Sequence, residues 1–323
     1  MKAIVCNEYA SPDKLKIEEM DDLNINDDQV LIKIEAAGLN YVDSLFVQGL
    51  YQIKIPTPFI PGGEVAGVIE KVGKKVDSVS VGDRVIAMVG IGGFADQVLA
   101  YPGQLIPIPD DLDFARAASM TQSYGTALFS LRQRGDLKPG EKLLVLGAGG
   151  GVGLAACDVG SALGATVYAA ASSEEKLNLA KSVGAESVIN YVEQPLKEQV
   201  RSVSKGGVDM VFDPIGGELS ETALRTLVYN GRLLVIGFAS GKIPNFPANQ
   251  ILLRNRHVVG VDWGAWSLSN PDLNRELMFE VFDLFAQGKV SPTQPNQFPL
   301  GQVGEAMMAI TERKVAGKCV LVP

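Results

Sequence analysis

The chain has 323 residues, 46% of them hydrophobic and 20% charged, and 37 acidic side chains against 29 basic ones leave a net charge of −8. That length suggests two domains and the composition excludes a disordered chain. The acidic balance argues against a sequence-independent grip on nucleic acid, which needs a basic face, and apolar runs such as "LLVIGFA" are strand-sized, too short to span a bilayer. The opening "MKAIVCNEYA" reads as a strand from the start, with no basic region followed by a long apolar stretch, so no signal peptide and no membrane association are expected. Cys6, Cys157 and Cys319 lie far apart and form no CxxC pair. They read as reduced, buried thiols, which fits a cytoplasmic protein.

In chain order, residues 1–120 carry short Val/Ile-rich strands between Gly turns: "KAIVCNEY", "QVLIKIEAAGLN", "EVAGVIEKVG", "GDRVIAMV" and "FADQVLAY". This spacing predicts a small barrel-like β domain. The texture changes near residue 124, where "GTALFSLRQRG" reads as helix. Strands and helices then alternate through "KLLVLGA", "GVGLAACDVGSALG", "TVYAAAS", "EEKLNLAKSVG", "SVINY", "PLKEQVRSVSKG", "VDMVFDP", "ELSETALRTLVYNG", "RLLVIGF" and "HVVGVDW". Continuous apolar strands alternating with helices predict a parallel sheet covered on both faces. Gly164, Gly184 and Gly231 read as helix stops. A helix near 272–287, a connector "VSPTQPNQFPL", a helix near 301–312 and a strand "KCVLVP" close the chain, and this end is expected to rejoin the first domain.

The strongest signal is "KLLVLGAGGGVGLAACDVG". A buried strand runs into Gly147-Ala148-Gly149-Gly150-Gly151-Val152-Gly153, and a helix follows. The glycines suit a tight turn, close backbone approach to a pyrophosphate, and tight packing of helix on strand. The phosphates would sit on the free N–H groups of the helix N-terminus. An NAD site wants an acidic residue at the end of the next strand, and "TVYAAASSEEKL" offers Ala170, Ala171, Ser172 and Ser173 there. Small hydroxyls with Lys176 nearby suit the 2′-phosphate of NADPH. Ser172 with Glu175 also reads as a capping box, which explains the serines without a ligand.

With these motifs in order, nearly the whole chain resembles the medium-chain dehydrogenase/reductase family, and within it the zinc-independent, zeta-crystallin-like quinone oxidoreductases. "AAGLNYVDSLFVQGLY", "PFIPGGEVAGVIEKVG", "VGDRVIA", "TQSYGTALFSL", "GAGGGVG", "VINY", "VFDPIGG" and "GRLLVIGFASG" carry the likeness. The resemblance implies an α/β protein in which a GroES-like β-barrel-type catalytic domain, residues 1–123 and 265–323, surrounds a doubly wound Rossmann domain, residues 124–264, with the active site in the cleft. It implies cofactor contacts from Tyr41, Val42, Asp43, Ser44 and Leu45, from Thr126, and from Gly149, Gly150, Gly151 and Val152. Ser172, Lys176, Tyr191 and Arg313 fall where relatives hold the 2′-phosphate, and Phe238, Ala239, Ser240, Val261, Asp262 and Trp263 where they line the nicotinamide. A homodimer pairing edge strands is also implied. Each residue has a plainer alternative: Lys176 and Arg313 as solvated helix charges, Tyr191 as packing, Asp43 as a helix N-cap.

Zinc members of the family need a Cys near Leu39 or Asn40 and a His before Glu64, where this chain has Gly63. Residues 88–110 contain no Cys for a structural zinc lobe, and the only His, His257, opens a predicted strand. No metal is therefore expected, and Glu64 reads as structural. Without a metal to acidify an alcohol, reduction of an already electrophilic double bond is the easier chemistry. The expected reaction is NADPH-dependent reduction of a small-molecule quinone or enone, with Asn40, Tyr51 and Tyr124 as candidate donors to the developing oxyanion. Trp263 and Trp266 could wall a ring substrate or simply pack. Two alternatives stay open: an enoyl-thioester reductase, using Arg254 and Arg256 for the CoA phosphates, and a non-catalytic, crystallin-like NADPH-binding protein.

Overall fold

A computed structural model describes all 323 residues. The chain divides into two compact units, Met1–Gln122 with Gln294–Pro323, and Ser123–Thr293. No helix is long and apolar enough to cross a membrane.

The first unit is built on a seven-stranded sheet. Its order is Asn296–Pro299, Cys319–Val322, Val30–Leu39, Glu64–Val72, Arg84–Met88 and Leu105–Pro107, with Gln97–Ala100 also pairing to Val30–Leu39. All pairs are antiparallel except Asn296–Pro299 with Cys319–Val322. Lys2–Val5 and Lys16–Glu19 form a separate ribbon, joined by single bridges at Ala3–Ala95 and Cys6–Phe59. The apolar positions face a core of Ile4, Ile32, Val65, Phe94, Val303 and Leu321. The "connector" read at 290–300 thus contains a strand, whose partner is the C-terminal strand.

The second unit is a six-stranded, all-parallel sheet in the order Ser187–Asn190, Thr166–Ala171, Lys142–Leu146, Val208–Asp213, Leu227–Val235 and His257–Gly260. In chain order this is 3-2-1-4-5-6, which reverses direction beside the first strand; ligands of such sheets bind at the carboxyl ends there. Leu144, Leu146, Ala170, Val211 and Leu233 are buried, as a sheet covered on both faces demands.

Three expectations change. The helix Phe114–Leu128 starts ten residues before the predicted change of texture and continues as a π-helical stretch, Phe129–Arg134. The helix after Gly217 stops at Leu224, and Gly231 lies inside the strand Leu227–Val235, not at a helix end. Asn230 takes a left-handed φ of 59°, and the pairing register shifts between Val208 and Met210. This bulge absorbs the turn residues without ending the strand. Finally, the unit boundary expected at 265 falls at 294. The helix Pro271–Ala286 packs within the second unit: Asn274 accepts from the Trp263 indole at 3.1 Å, Met278 fills the space left by Gly125, and Glu280 pairs with Arg132.

Candidate active site

In the second unit, every cofactor residue expected from Gly149 to Trp263 lies at or just past the carboxyl end of a strand. The glycine loop follows Lys142–Leu146, and the helix Gly151–Ala162 starts directly after it. Gly147 turns with φ +59°. A Cβ on Gly153 would lie 2.2 Å from the Gly147 carbonyl oxygen, so only glycine lets the helix sit this close to the strand. At Gly150 the nearest atom to such a Cβ is 3.6 Å away, which leaves the approach to the helix N-terminus open. The first helical N–H groups have no intrahelical acceptor, and anions are favoured there.

A Cβ on Gly149 would lie 2.2 Å from Lys176 Cβ. The Lys176 stem therefore packs on the loop. Lys176 belongs to the helix Glu174–Ser182, whose N-cap is Ser173, and no side chain caps that end. The Ser172–Glu175 capping box is thus absent, because the helix starts one residue later than it requires. No carboxylate ends the strand Thr166–Ala171; Ser172 is half-buried, while Glu174 and Glu175 are exposed in the first helical turn. Tyr191 follows the strand Ser187–Asn190 and packs partly buried on the sheet's core. The glycine loop, Lys176, Ser172 and Ser173 thus lie together just past the carboxyl ends of the first two strands of this sheet.

Sequence reasoning missed two carboxylates of this unit. Asp213 ends its strand fully buried and accepts from the N–H groups of Ile215 at 2.9 Å and Gly216 at 3.0 Å, and from the Ser220 hydroxyl. Burial pushes its pKa up, against those three hydrogen bonds. It holds the loop that accepts the Ala239 and Ser240 N–H groups, at 3.0 and 2.9 Å, and so sets the expected nicotinamide segment. Asp158, buried on the glycine-loop helix, accepts from the Tyr124 hydroxyl at 2.7 Å and the Ser291 N–H at 2.8 Å. Burial raises it to about 6 despite those bonds.

Tyr124 is therefore corrected as a catalytic donor. Its ring is buried, its hydroxyl is committed to Asp158, and burial with the Asp158 charge pushes it well above the ordinary phenol range. The tryptophan wall is also corrected. Trp263 is buried against Gly125 and donates to Asn274, and Trp266 packs on Phe129 with ring centroids 4.5 Å apart. Asp262 caps the helix Trp263–Ser269 by accepting from Ala265 N–H, Thr126 and Val261 are half-buried, and Phe238 is exposed. Arg254 and Arg256 precede the amino end of the strand His257–Gly260, opposite to the glycine loop in a parallel sheet. The enoyl-thioester reading loses the CoA contact it invoked.

In the first unit, Glu64 starts its strand opposite Gly38, whose missing Cβ makes room for the carboxylate. Pairing of Cys319 with Leu39 sets Lys318 beside Asn40. The buried Lys318 ammonium donates to Glu64 Oε1 at 2.7 Å and to Asn40 Oδ1. Asn40 Nδ2 donates to Glu64 Oε1 at 2.9 Å, while Thr121 and the Gln122 N–H donate to Oε2 at 2.6 and 2.8 Å. Burial raises the Glu64 pKa, but the Lys318 charge and these hydrogen bonds outweigh it, and the net shift is downward. Gly63 accepts two turn N–H groups, and Gly62 holds φ +94° over the Phe94 ring. The residues do not fit a catalytic zinc: Glu64 is held by an ammonium, and no three His, Cys, Asp or Glu side chains gather as a metal would need.

Asn40 is the N-cap of the helix Tyr41–Val47, and Asp43 reaches back to its N–H at 2.7 Å. Asp43 thus braces the cap from the third helical position and is not itself the N-cap. Burial above all raises Asp43 to about 7. Ser44 is buried and donates to the Tyr41 carbonyl. Tyr51 is half-buried, its ring 4.7 Å from Phe46, and its hydroxyl makes no hydrogen bond within the protein. Arg313 lies just beyond the helix Val303–Thr311 with φ +58°, not within it.

Residues 26–110 match the alcohol dehydrogenase GroES-like domain, and residues 151–281 the zinc-binding dehydrogenase domain. The chain is 38% identical over 322 residues to quinone oxidoreductase-like protein 2 of Bos taurus, covering 99% of this chain and 92% of that protein. It is similar to the quinone oxidoreductase of Thermus thermophilus, solved also with NADPH, at a TM-score of 0.87 and 33% identity over the full length of both. The Escherichia coli quinone oxidoreductase complexed with NADPH superposes with a TM-score of 0.89 at 25% identity, again over the full length of both.

Proposed function

The chain belongs to the zinc-independent quinone oxidoreductase branch of the medium-chain dehydrogenase/reductase family, and from that premise we propose that it uses NADPH to reduce quinones or α,β-unsaturated carbonyls without a metal. The observation that carries the cofactor choice is Lys176 packed on Gly149 beside the helix N-terminus, with Ser172 where an NAD site wants an acid.

Gly149, Gly150, Gly151 and Val152 hold the pyrophosphate at the helix N-terminus. Lys176, Ser172, Tyr191 and Arg313 take the 2′-phosphate, and Phe238–Ser240 and Val261–Trp263 border the nicotinamide, Trp263 through its backbone. Tyr41, Val42, Asp43 and Thr126 complete the cofactor contacts. When bound, NADPH supplies the hydride. Tyr51, whose hydroxyl is unspent, and Asn40, with one amide hydrogen left, are the proposed donors to the substrate oxygen that gains charge. Lys318 and Glu64 fix the Asn40 amide by holding its two ends.

Lys176→Ala tests the cofactor assignment. Fluorescence titration should show NADPH binding weakened by about ten- to a hundred-fold, the loss of one charge-assisted contact, with NADH nearly unchanged. Equal effects on the two cofactors would remove Lys176 from the phosphate site.

A further inference from the structure

Four arginines gather at the amino end of the parallel sheet, opposite to the proposed cofactor site. Arg201 lies in the last turn of the helix Leu196–Val203, Arg225 caps the end of Gly217–Leu224, and Arg254 and Arg256 precede the strand His257–Gly260. None of the four forms an ion pair with a carboxylate, although acidic residues outnumber basic ones in the chain by 37 to 29. Negative helix C-termini account for Arg201 and Arg225 singly, and Arg201 Nη2 donates to the Arg225 carbonyl at 3.3 Å. They do not account for Arg256. That side chain is only 7% exposed, Nη1 donates to the Gln250 carbonyl at 2.8 Å, and Nε is buried with no partner.

Burial, and then the charges of Arg254, Arg201 and Arg225, lower the proton affinity of Arg256. A buried guanidinium without a counter-charge, facing three like charges, is costly in a closed protein. An anion bound among the four guanidiniums would relieve the repulsion. Planar, always-charged guanidinium forks match the tetrahedral oxygens of a phosphate, which they bind two bonds at a time.

We propose that Arg201, Arg225, Arg254 and Arg256 form a second anion site, for a phosphate-bearing small molecule, separate from the cofactor site. Arg256 forms its floor, and the exposed Arg225 and Arg254 its mouth. The site does not depend on the reductase reading, because its residues lie at the other end of the sheet.

The test is calorimetric titration of inorganic phosphate and of tripolyphosphate at constant ionic strength, with NADPH present to fill the glycine loop. The wild-type protein should bind tripolyphosphate at one site, more tightly than phosphate. The Arg225→Gln/Arg254→Gln double variant changes two exposed residues and should keep its fold and its affinity for NADPH, but bind tripolyphosphate at least about ten-fold more weakly. Absence of binding to the wild type, or equal binding by the double variant, overturns the proposal. A fall in sedimentation mass in the double variant, without phosphate binding by the wild type, also overturns it and assigns the arginines to a contact between copies.

Discussion

The Glu64–Lys318 pair shows how one residue's role depends on a partner far along the chain. Both side chains are nearly fully buried, and removing one leaves the other as an unpaired buried charge. Lys318→Met should lower unfolding stability by about 3–5 kcal/mol, and the Glu64→Gln/Lys318→Met double variant should regain most of the loss. Urea unfolding of the single and double variants measures this, and equal stability of the two would deny the coupling. Asp158 gives a pH prediction of the opposite kind. Its folded pKa of about 6 stands above the ordinary value of 3.8, so between those values the native state holds a proton that the unfolded chain has released. Stability from this group is full at low pH and is lost as pH rises through about 4 to 6, a cost on the order of 3 kcal/mol by pH 7. Asp158→Asn keeps an acceptor for the Tyr124 hydroxyl and removes the titration. Relative to wild type, its unfolding free energy should rise from about pH 4 to about pH 7.5; a constant difference would contradict the assignment. Glu64 reads as structural from the sequence, but neither carboxylate's partner was legible there. Lys318 stands 254 positions from Glu64 and Ser291 stands 133 from Asp158, and only strand register and helix packing bring them together.

Elements that specify themselves locally were legible. The glycine loop is a strand, a turn and a helix in one short contiguous stretch, and Gly153 and Gly149 stand where a Cβ would strike the Gly147 carbonyl and Lys176. Gly153→Ala should push the helix from the strand, at a cost of about 1–3 kcal/mol of overpacking, and weaken NADPH and NADH binding together. Titration of both cofactors checks this, and unchanged binding of either would show that the close approach is not needed. This common loss contrasts with the selective loss expected of Lys176→Ala. Elements defined by non-local packing read less well. "TLVYNGRLLV" carries a helix-stop signal at Asn230-Gly231, yet pairing with Val208–Asp213 draws the segment into a bulged strand. The capping box at Ser172 failed for a smaller reason, a helix start shifted by one residue.

At the scale of the whole molecule, alternation of strands and helices was enough to read a parallel-sheet unit, and the antiparallel texture at both chain ends a second one. The exit from the parallel-sheet unit was not legible, because the amphipathic pattern of Pro271–Ala286 shows that it buries one face but not against what. Asn274, Met278 and Glu280 answer that only through contacts with Trp263, Gly125 and Arg132. The chemistry proposed for the molecule rests on a phosphate-binding unit that favours NADPH and on a Glu64 carboxylate held by Lys318 in place of a metal. The most direct measurement is the rate of NADPH oxidation with simple quinones and enones by protein dialysed against a chelator. The account predicts turnover that chelation leaves unchanged and that falls sharply when NADH replaces NADPH. If no quinone, enone or enoyl thioester consumes NADPH above the buffer rate, or if activity appears only when a divalent metal is restored, the account is contradicted.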